Sequence, residues 1–475
     1  MKTHHFYDSA FTRATKNVKI IPGKVTKHPG PLFTEGCFSN PCLPWEVRYD
    51  NGYPNVFFDP NCRLYRCYYT GIVFDETSSS TTLEERATGI PYKPRGHRLT
   101  ALLYAESKDG IHWDRPNLGI TELFGSRENN ILRLYAHGSC VFLDDHETDP
   151  AKKYKLITRD DHLPRKLCVA FSADGYHFTD LKPIPGNAFI MPGDTHNYVR
   201  WEADLGKYVM LTRMFTRELR TVARSESTDF LNWTPPVEVF KGTGRDDQIY
   251  AMPFFLDEGK FYGLAAIFHQ GDESLAHNDC VDIELAFSGD TVQWDRIAPG
   301  QPLIPRGPGR YPTGAYDCGC CFPCPPVDDG ENWRFYYMGG NGTHYNFRET
   351  SLCLATMPKH KLAGITPMDS TQPAEFTSAF MQVNSGKLYL NADLDENSTF
   401  EAELLTAKKE PIPGYGFENF KLKQEDGNLE LTWNDQPVQL MMEEFLLHIR
   451  FSSAVLYSIR GDADTRTFHP VYQFG

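Results

Sequence analysis

The 475-residue sequence has no run of about 18 apolar residues, so nothing in it reads as a membrane-spanning helix. Residues 1–20, MKTHHFYDSAFTRATKNVKI, lack the uninterrupted apolar stretch of an export signal, and a soluble, cytoplasmic protein is the expectation. Positive charge is scarce: 48 Lys and Arg stand against 62 Asp and Glu, a formal net charge of −14. The average field of such a surface repels a phosphate backbone, which argues against nucleic acid as a partner. Metal-ligand spacing is missing too. The densest group among the 12 cysteines, Cys318, Cys320, Cys321 and Cys324, matches neither a paired CxxC zinc site nor a cluster-binding run, and reads as a buried strand rich in small residues. The histidines form no short ligand pair, so neither a metal nor a cofactor is expected. Without an export signal, most of the cysteines are expected to be reduced. Helical periodicity is hard to find in the first 365 residues, which removes the α/β folds.

Turn formers and aromatics are plentiful, with 37 Gly, 33 Pro and 13% Phe, Trp and Tyr, and the 40% hydrophobic content suffices for a sizeable core. The chain also repeats itself. SKDGIHW at 107–113 returns as SADGYHF at 172–178, and related turns lie within TVARSESTDFLNWTPP, IELAFSGDTVQWDRIAPG and, more weakly, SLCLATMPKHKLAGI. With Ser107, Ser172, Ser225, Ser288 and Thr356 as markers, the intervals are 65, 53, 63 and 68 residues. Each marker follows a short alternating strand, and a further apolar strand, acidic or Gly-containing turn and apolar strand precede it, as in NVFFDPNCRLYRCYYTG and MPFFLDEGKFYGLAAI. Hairpin, marker strand and outer strand make the four-stranded sheet of a propeller blade. The expected fold is all-β: a five-bladed β-propeller over 1–368 followed by a β-sandwich over 375–475, where the marker turn disappears. Trp113, Trp233 and Trp294, which belong to the markers, are expected to pack between blades.

In a propeller, the loops entering the inner strands line a funnel. Those entrances read PWEVRYDNGYP (44–54), YAHG (135–138), GDTHN (193–197), GRDDQIY (244–250) and GAYDCG (314–319). Carboxylates stand at four of the five: Glu46 or Asp50, Asp194, Asp246 or Asp247, and Asp317, with His137 at the other. Glycoside hydrolysis needs such a set, because one carboxyl must protonate the leaving oxygen while an ionised one attacks or activates water. Asp50, Asp194 and Asp247 are the catalytic candidates. Trp45, Glu46, His137, His196, Arg213, Tyr250, His269, Glu273, Tyr316 and Asp317 are the candidates for holding substrate.

YPNVFFD, SKDGIHW, GDTHN followed by GKYVMLTR, and SESTDFLNW together resemble bacterial proteins of the glycoside hydrolase family 32-like type, within the propeller glycosidases of families 32 and 43. The Asn-Asp-Pro-Asn-Gly, Arg-Asp-Pro and Glu-Cys motifs of family 32 proper are not intact; DPN at 59–61 lies between strands of the first hairpin, away from the funnel, so Asp59 is not read as the nucleophile. The resemblance implies a hydrolase releasing a sugar, a furanoside such as fructose or arabinose among the candidates, from a small oligosaccharide. Two rivals stay open. One is a propeller glycoside phosphorylase with Arg213, Arg217 and Arg245 round the phosphate; the other is a sugar-binding propeller without chemistry. A homo-oligomer is equally open.

Overall fold

Alternating apolar residues separated by Gly, Asn and Asp turns give strands almost everywhere in the computed structural model. It describes all residues except 40, 163, 186–192, 272, 426, 440–442 and 467–475. The chain forms two compact units, one of residues 25–296 and 302–356, the other of 1–24, 297–301 and 357–475. No helix among the described residues is long and apolar enough to cross a membrane.

The first unit is the five-bladed propeller. Blade one is built from Asn55–Asp59, Leu64–Asp75 and Arg98–Ser107 with Ile131–Leu134 outside; blade two from Ala136–Leu143, Tyr154–Asp160, Lys166–Ser172 and Lys182–Pro183. Blade three comprises Tyr198–Glu202, Lys207–Thr216, Leu219–Ser227 and Val237–Phe240. Blade four has Phe254–Asp257, Lys260–Phe268 and Val281–Ser288, whose outer neighbour carries Arg296; blade five has Cys320–Pro323, Asn332–Gly340 and Thr350–Pro358. Neighbouring blades lean on one another at their inner strands or just before them. Asn55 Nδ2 donates to Ser139 O at 2.9 Å, the Val199 amide to Cys140 Sγ at 3.4 Å, Thr195 Oγ1 to Tyr250 O at 2.8 Å, and the Val56 amide to Cys324 Sγ at 3.1 Å. Small cysteines at these positions let backbones approach. Cys320, Cys321 and Cys324 are buried, and each of the cysteines whose state is described is free.

The fourth strand of blade five comes from the other end of the propeller segment: Thr26–Lys27 and Phe33–Thr34 both pair with Thr350–Pro358. Lys27 Nζ reaches Asp317 Oδ2 at 2.5 Å, and Asp317, 1% exposed, also accepts from Tyr337 OH at 2.8 Å and the Gly307 amide at 3.1 Å.

The marker turns have one construction in blades one to four. A serine hydroxyl accepts the amide three residues on, and an aspartate two residues on accepts the next two amides: Ser107 with Asp109, Ser172 with Asp174, Ser227 with Asp229, Ser288 with Asp290. In blade three the marker is therefore Ser227 and not the expected Ser225, whose hydroxyl instead donates to Thr234 O. Gly110 and Gly175 take positive φ where a Cβ would meet Tyr336 OH at 2.4 Å or Arg66 Nη1 at 2.2 Å of the preceding blade. The turns do seal blade to blade: Tyr336 OH donates to Gly110 O, Tyr68 OH to Gly175 O, and the Trp113 ring meets Tyr336 edge-on at 5.8 Å.

Two five-residue helices, Glu76–Ser80 and Leu83–Ala87, interrupt blade one where no helix was expected. Thr82 and Glu85 form a reciprocal capping box at the start of the second, a pattern too short to show as periodicity.

The second unit is the β-sandwich. Its strands, eight among the described residues, include the long Ala374–Leu405 and Glu444–Arg466, and Phe451 is flanked by Ala374 on one side and Phe400 on the other, so the longer strand bends back round its partner. Phe376, Leu404, Trp433, Phe445, Ile449 and Leu456 fill the core. Residues 1–24, expected within the propeller, pair here instead: Lys2–His5 with Glu444–Arg466, Thr12–Lys16 with Ala374–Leu405, and Val18–Pro22 with Ala363–Pro367. The expected sandwich ends in 467–475, which lie outside the described residues.

Replacing Asp317 by Ala leaves Lys27 and Tyr337 without their buried acceptor. The expected cost is on the order of 3 kcal/mol of propeller stability, checked by urea unfolding.

Candidate active site

In every blade the first strand begins, the second ends and the third begins at the same face. Residues from the blade entrances and from the loops between second and third strands therefore meet there. Blade one contributes Arg48 to Tyr53, a segment in which Asp50, Gly52 and Tyr53 have φ of 56°, 65° and 41°. Asp tolerates the left-handed region and Gly52 needs it, but a tyrosine there is strained, as residues at binding sites often are. Blade five contributes His344 to Arg348.

Arg348, with a fully buried side chain, ties these segments together. Its Nη2 donates to Asp50 Oδ1 and Asn51 Oδ1, both at 2.7 Å, and its Nη1 to the carbonyls of Thr343 and His344. Arg48 Nη2 adds a longer contact to Asp50 Oδ1, 3.3 Å, and donates to Asn346 O. Burial works against ionisation of Asp50, but the two guanidinium groups hold its carboxyl well below the usual range.

A chain of hydrogen bonds runs on from Asn51. Its Nδ2 donates to the hydroxyls of Tyr53 and Tyr250, both at 2.9 Å, and Tyr250 OH shares a 3.0 Å hydrogen bond with His344 Nε2. Burial pushes His344 down to about 3, helped by Arg348, so the ring is neutral. Arg213 stacks over the Tyr250 ring at 4.2 Å and donates to its carbonyl. A second cluster holds Asp194: His137 Nε2 lies 2.9 Å and Arg159 Nη1 3.4 Å from Asp194 Oδ1. Asp161 lies behind them, accepting from Arg159 Nε at 2.7 Å and Thr100 Oγ1 at 2.9 Å. Desolvation opposes the charge on Asp194, and His137, Arg213 and Arg159 more than offset it.

Asp279 is the opposite case. Burial raises its carboxyl above the ordinary range despite the Tyr345 amide at 2.8 Å and nearby Arg348. Its Oδ1 is buried without a hydrogen-bond partner among the described residues. It lines a cavity of about 540 Å³ with Glu218, Arg245, Gln248, Gln270 and Tyr345. A second cavity of about 700 Å³, lined in part by His277, Arg306, Arg310 and Asn341, shares Glu273, Asn278, Thr343 and Asn346 with the first.

Of the expected residues, the structure gathers Asp50, Asp194, His137, Arg213 and Tyr250 into this network. Glu273 lines both cavities. His196 lies beneath, 2% exposed, with Nε2 sharing a 3.0 Å hydrogen bond with Asn55 Oδ1.

The others are engaged elsewhere. Asp247, expected to be catalytic, is instead bonded to Arg296 at 2.6 and 2.9 Å and to Thr243, on the outer side of blade four and not in the network that holds Asp50. Glu46 is a buried hub accepting from Tyr49, Tyr69, Arg115 and Asn130, which leaves no oxygen for a substrate. Trp45 donates its Nε1 to Asn130 Oδ1, Tyr316 its hydroxyl to His28 O, and Asp317 fastens blade five. His269 bonds to Asp246 O and Asp282. Asp59, bound to Arg66 and Tyr154, is buried as its place in the hairpin implied.

The sequence reading missed Asn51, Tyr53, Asp161, Asp279, His344 and Arg348. Six polar or charged residues in THYNFRET, shortly after an apolar strand of blade five, were the available signal.

No family model matches the chain, and no curated protein sequence matches it. Among solved structures it is similar to one from work on the GH130 family of mannoside phosphorylases, which contains glycoside hydrolases that target β-1,2-mannosidic linkages in Candida mannan; the identity is 17% over 72% of this chain and 95% of that one, with a TM-score of 0.47. It is similar also to a glycosyl hydrolase from Bacteroides ovatus, 16% identical over 70% and 93% of the chains, TM-score 0.47. A third is the α-L-arabinofuranosidase PaAbf62A from Podospora anserina, 15% identical over 71% and 98%, TM-score 0.46.

Arg348→Met tests the electrostatics. The depressed carboxyl of Asp50 stabilises the fold above the ordinary aspartate range of about 4, and that contribution is lost as pH falls towards the lower folded value. Without Arg348 the Asp50 carboxyl is expected to titrate higher, read by carboxyl NMR, and stability measured by denaturant to decline less steeply below about pH 4 than in the parent protein.

Proposed function

We propose that the propeller cleaves glycosidic bonds in a small oligosaccharide, with Asp50 as the ionised carboxylate and Asp279 as the proton donor. One observation carries this reading: Arg348 lies beside two carboxyls pushed in opposite directions, Asp50 down and Asp279 up. Two carboxyls kept in different protonation states give an acid and a base their separate roles. Asp279 gives its proton to the departing oxygen, and Asp50 attacks the anomeric carbon or takes a proton from water. Asp194, ionised beside His137 and Arg159, holds substrate hydroxyls, and Tyr53 and Tyr250 offer ring faces and hydroxyls.

Water rather than phosphate as the acceptor is supported by two of the three arginines that a phosphorylase would set round the phosphate. Arg213 is buried against Tyr250, and Arg245 lies 3.7 Å from the Glu218 carboxylate, which repels an anion. The family 32-like assignment and a furanoside substrate belong to the same proposal and rest on the sequence motifs.

Nitrophenyl glycosides and fructo-oligosaccharides, each with and without phosphate, form the screen. Asp50→Asn is expected to lower kcat about 10²–10⁴-fold on every substrate. Asp279→Asn is expected to cost as much on oligosaccharides and far less on nitrophenyl glycosides, whose leaving group needs no proton. Equal losses on both would remove Asp279 as the acid; phosphate-dependent turnover would make the enzyme a phosphorylase; sugar binding without turnover would make it a binding protein.

The pH profile is a second check. Activity requires Asp50 ionised and Asp279 protonated. A plot of kcat/KM should therefore fall on the acid side below the ordinary aspartate value of about 3.9 and on the alkaline side above it.

A further inference from the structure

We infer that blade four carries a binding site for one divalent transition-metal cation, built from Asp246, His269 and His277. Each offers a ligand atom, and the three atoms lie within 4.8 Å of one another. Asp246 comes from the entrance to blade four, His269 and His277 from the loop between its second and third strands, so the fold itself brings them together.

Two features show a site short of a cation. Asp246 Oδ2 lies 3.1 Å from His277 Nε2, while Asp246 Oδ1 is buried and has no hydrogen-bond partner among the described residues. A buried carboxylate oxygen with nothing to accept is costly, and a metal ion removes the cost. His269 shows the same deficit from the other side. Its Nδ1 lies 2.8 Å from Asp246 O and its Nε2 2.9 Å from Asp282 Oδ2, so both ring nitrogens face oxygen acceptors. A neutral imidazole has one N–H, so with Nε2–H given to Asp282 the Nδ1 lone pair faces the Asp246 carbonyl, and a cation beside the two turns both oxygen and nitrogen into ligands.

The surroundings match a metal-bound histidine. Nε2–H points at Asp282, which Arg306 Nε fixes at 2.8 Å, and a carboxylate behind an imidazole orients the ring and strengthens it as a ligand. Two imidazoles with one carboxylate favour zinc, iron, nickel or cobalt over calcium or magnesium. Three protein ligands leave a coordination position open, as catalytic zinc sites do. His277 lines the 700 Å³ cavity, so that position is filled by water or by an oxygen of whatever occupies the cavity.

The test uses full-length, untagged protein stripped with EDTA and titrated calorimetrically with Zn²⁺, Co²⁺ and Ca²⁺ in the absence of sugar. One equivalent of Zn²⁺ and of Co²⁺, with no heat from Ca²⁺, is expected. His277→Ala and Asp246→Asn should each weaken Zn²⁺ at least tenfold, and Asp282→Asn about tenfold through the orientation of His269. The visible absorption of bound Co²⁺ should change in the same variants, while His112→Ala, in an exposed marker turn, should leave binding as it was. Circular dichroism checks that each variant is folded. No stoichiometric Zn²⁺ binding, or binding equally tight in His277→Ala and Asp246→Asn, would overturn the inference. Because no substrate enters the measurement, its outcome is separate from that of the glycosidase proposal.

Discussion

A propeller is a ring, and its last blade has to be fastened to its first. Here the fastening is the antiparallel pairing of Thr26–Lys27 and Phe33–Thr34 with the third strand of blade five, pinned by Lys27 on Asp317. These partners stand about as far apart in sequence as the propeller segment allows, and joining them carries the largest loop-closure cost in the unit. The seam between blades five and one is strengthened accordingly. Arg334 and Tyr336 donate to the carbonyls of Asp109 and Gly110, Trp113 packs on Tyr336, and the Val56 amide meets Cys324. The main electrostatic contact of the candidate site crosses this same seam. Arg348 from blade five meets Asp50 and Asn51 from blade one, so the site exists only in the closed ring.

Within the site, charge is sorted rather than accumulated. The chain carries a formal charge of −14, yet each ionised carboxylate in the network has a cationic neighbour: Asp50 has Arg348 and Arg48, Asp194 has Arg159, Asp282 has Arg306. Asp279 has no direct ion pair among the contacts described, and burial decides its state. Direct pairing of one carboxyl and desolvation of another is how one protein keeps both protonation states near one pH.

The blade count was legible because the marker turn serves the backbone. In blades one to four Ser, Asp and a residue at positive φ shape the turn where the third strand ends, so the same letters recur at nearly constant spacing. Even there the register slipped in SESTDF, where two serines stand two residues apart on one face of a strand and only the hydrogen bonds choose Ser227. Carboxylates at the entrances were legible as a class and not individually. Asp317 and Glu46 occupy equivalent places to Asp50, but their side chains turn into the protein, where tyrosines and a cation complete them. Residue type cannot report that direction. The loops between second and third strands escaped altogether. They run from two residues at 217–218 to the helical insertion after Asp75, so no repeat alignment brings Asp279 or Arg348 into register.

Rigidity explains why the strained residues gather where they do. In the marker turns the left-handed position is Gly in blades one and two, but Phe230 and Thr291 in blades three and four, at φ of 66° and 64° and fully buried. Burial of a ring or a methyl group outweighs a backbone penalty of order 1 kcal/mol, so the scaffold imposes the conformation and the side chain need not favour it. The same surplus is available at 50–53, where Tyr53 is 2% exposed and tied through Asn51 to Tyr250. A flexible loop would relax Asp50 and Tyr53 out of their left-handed geometry. The closed ring does not allow it, and Asp50 stays where Arg348 can hold it ionised.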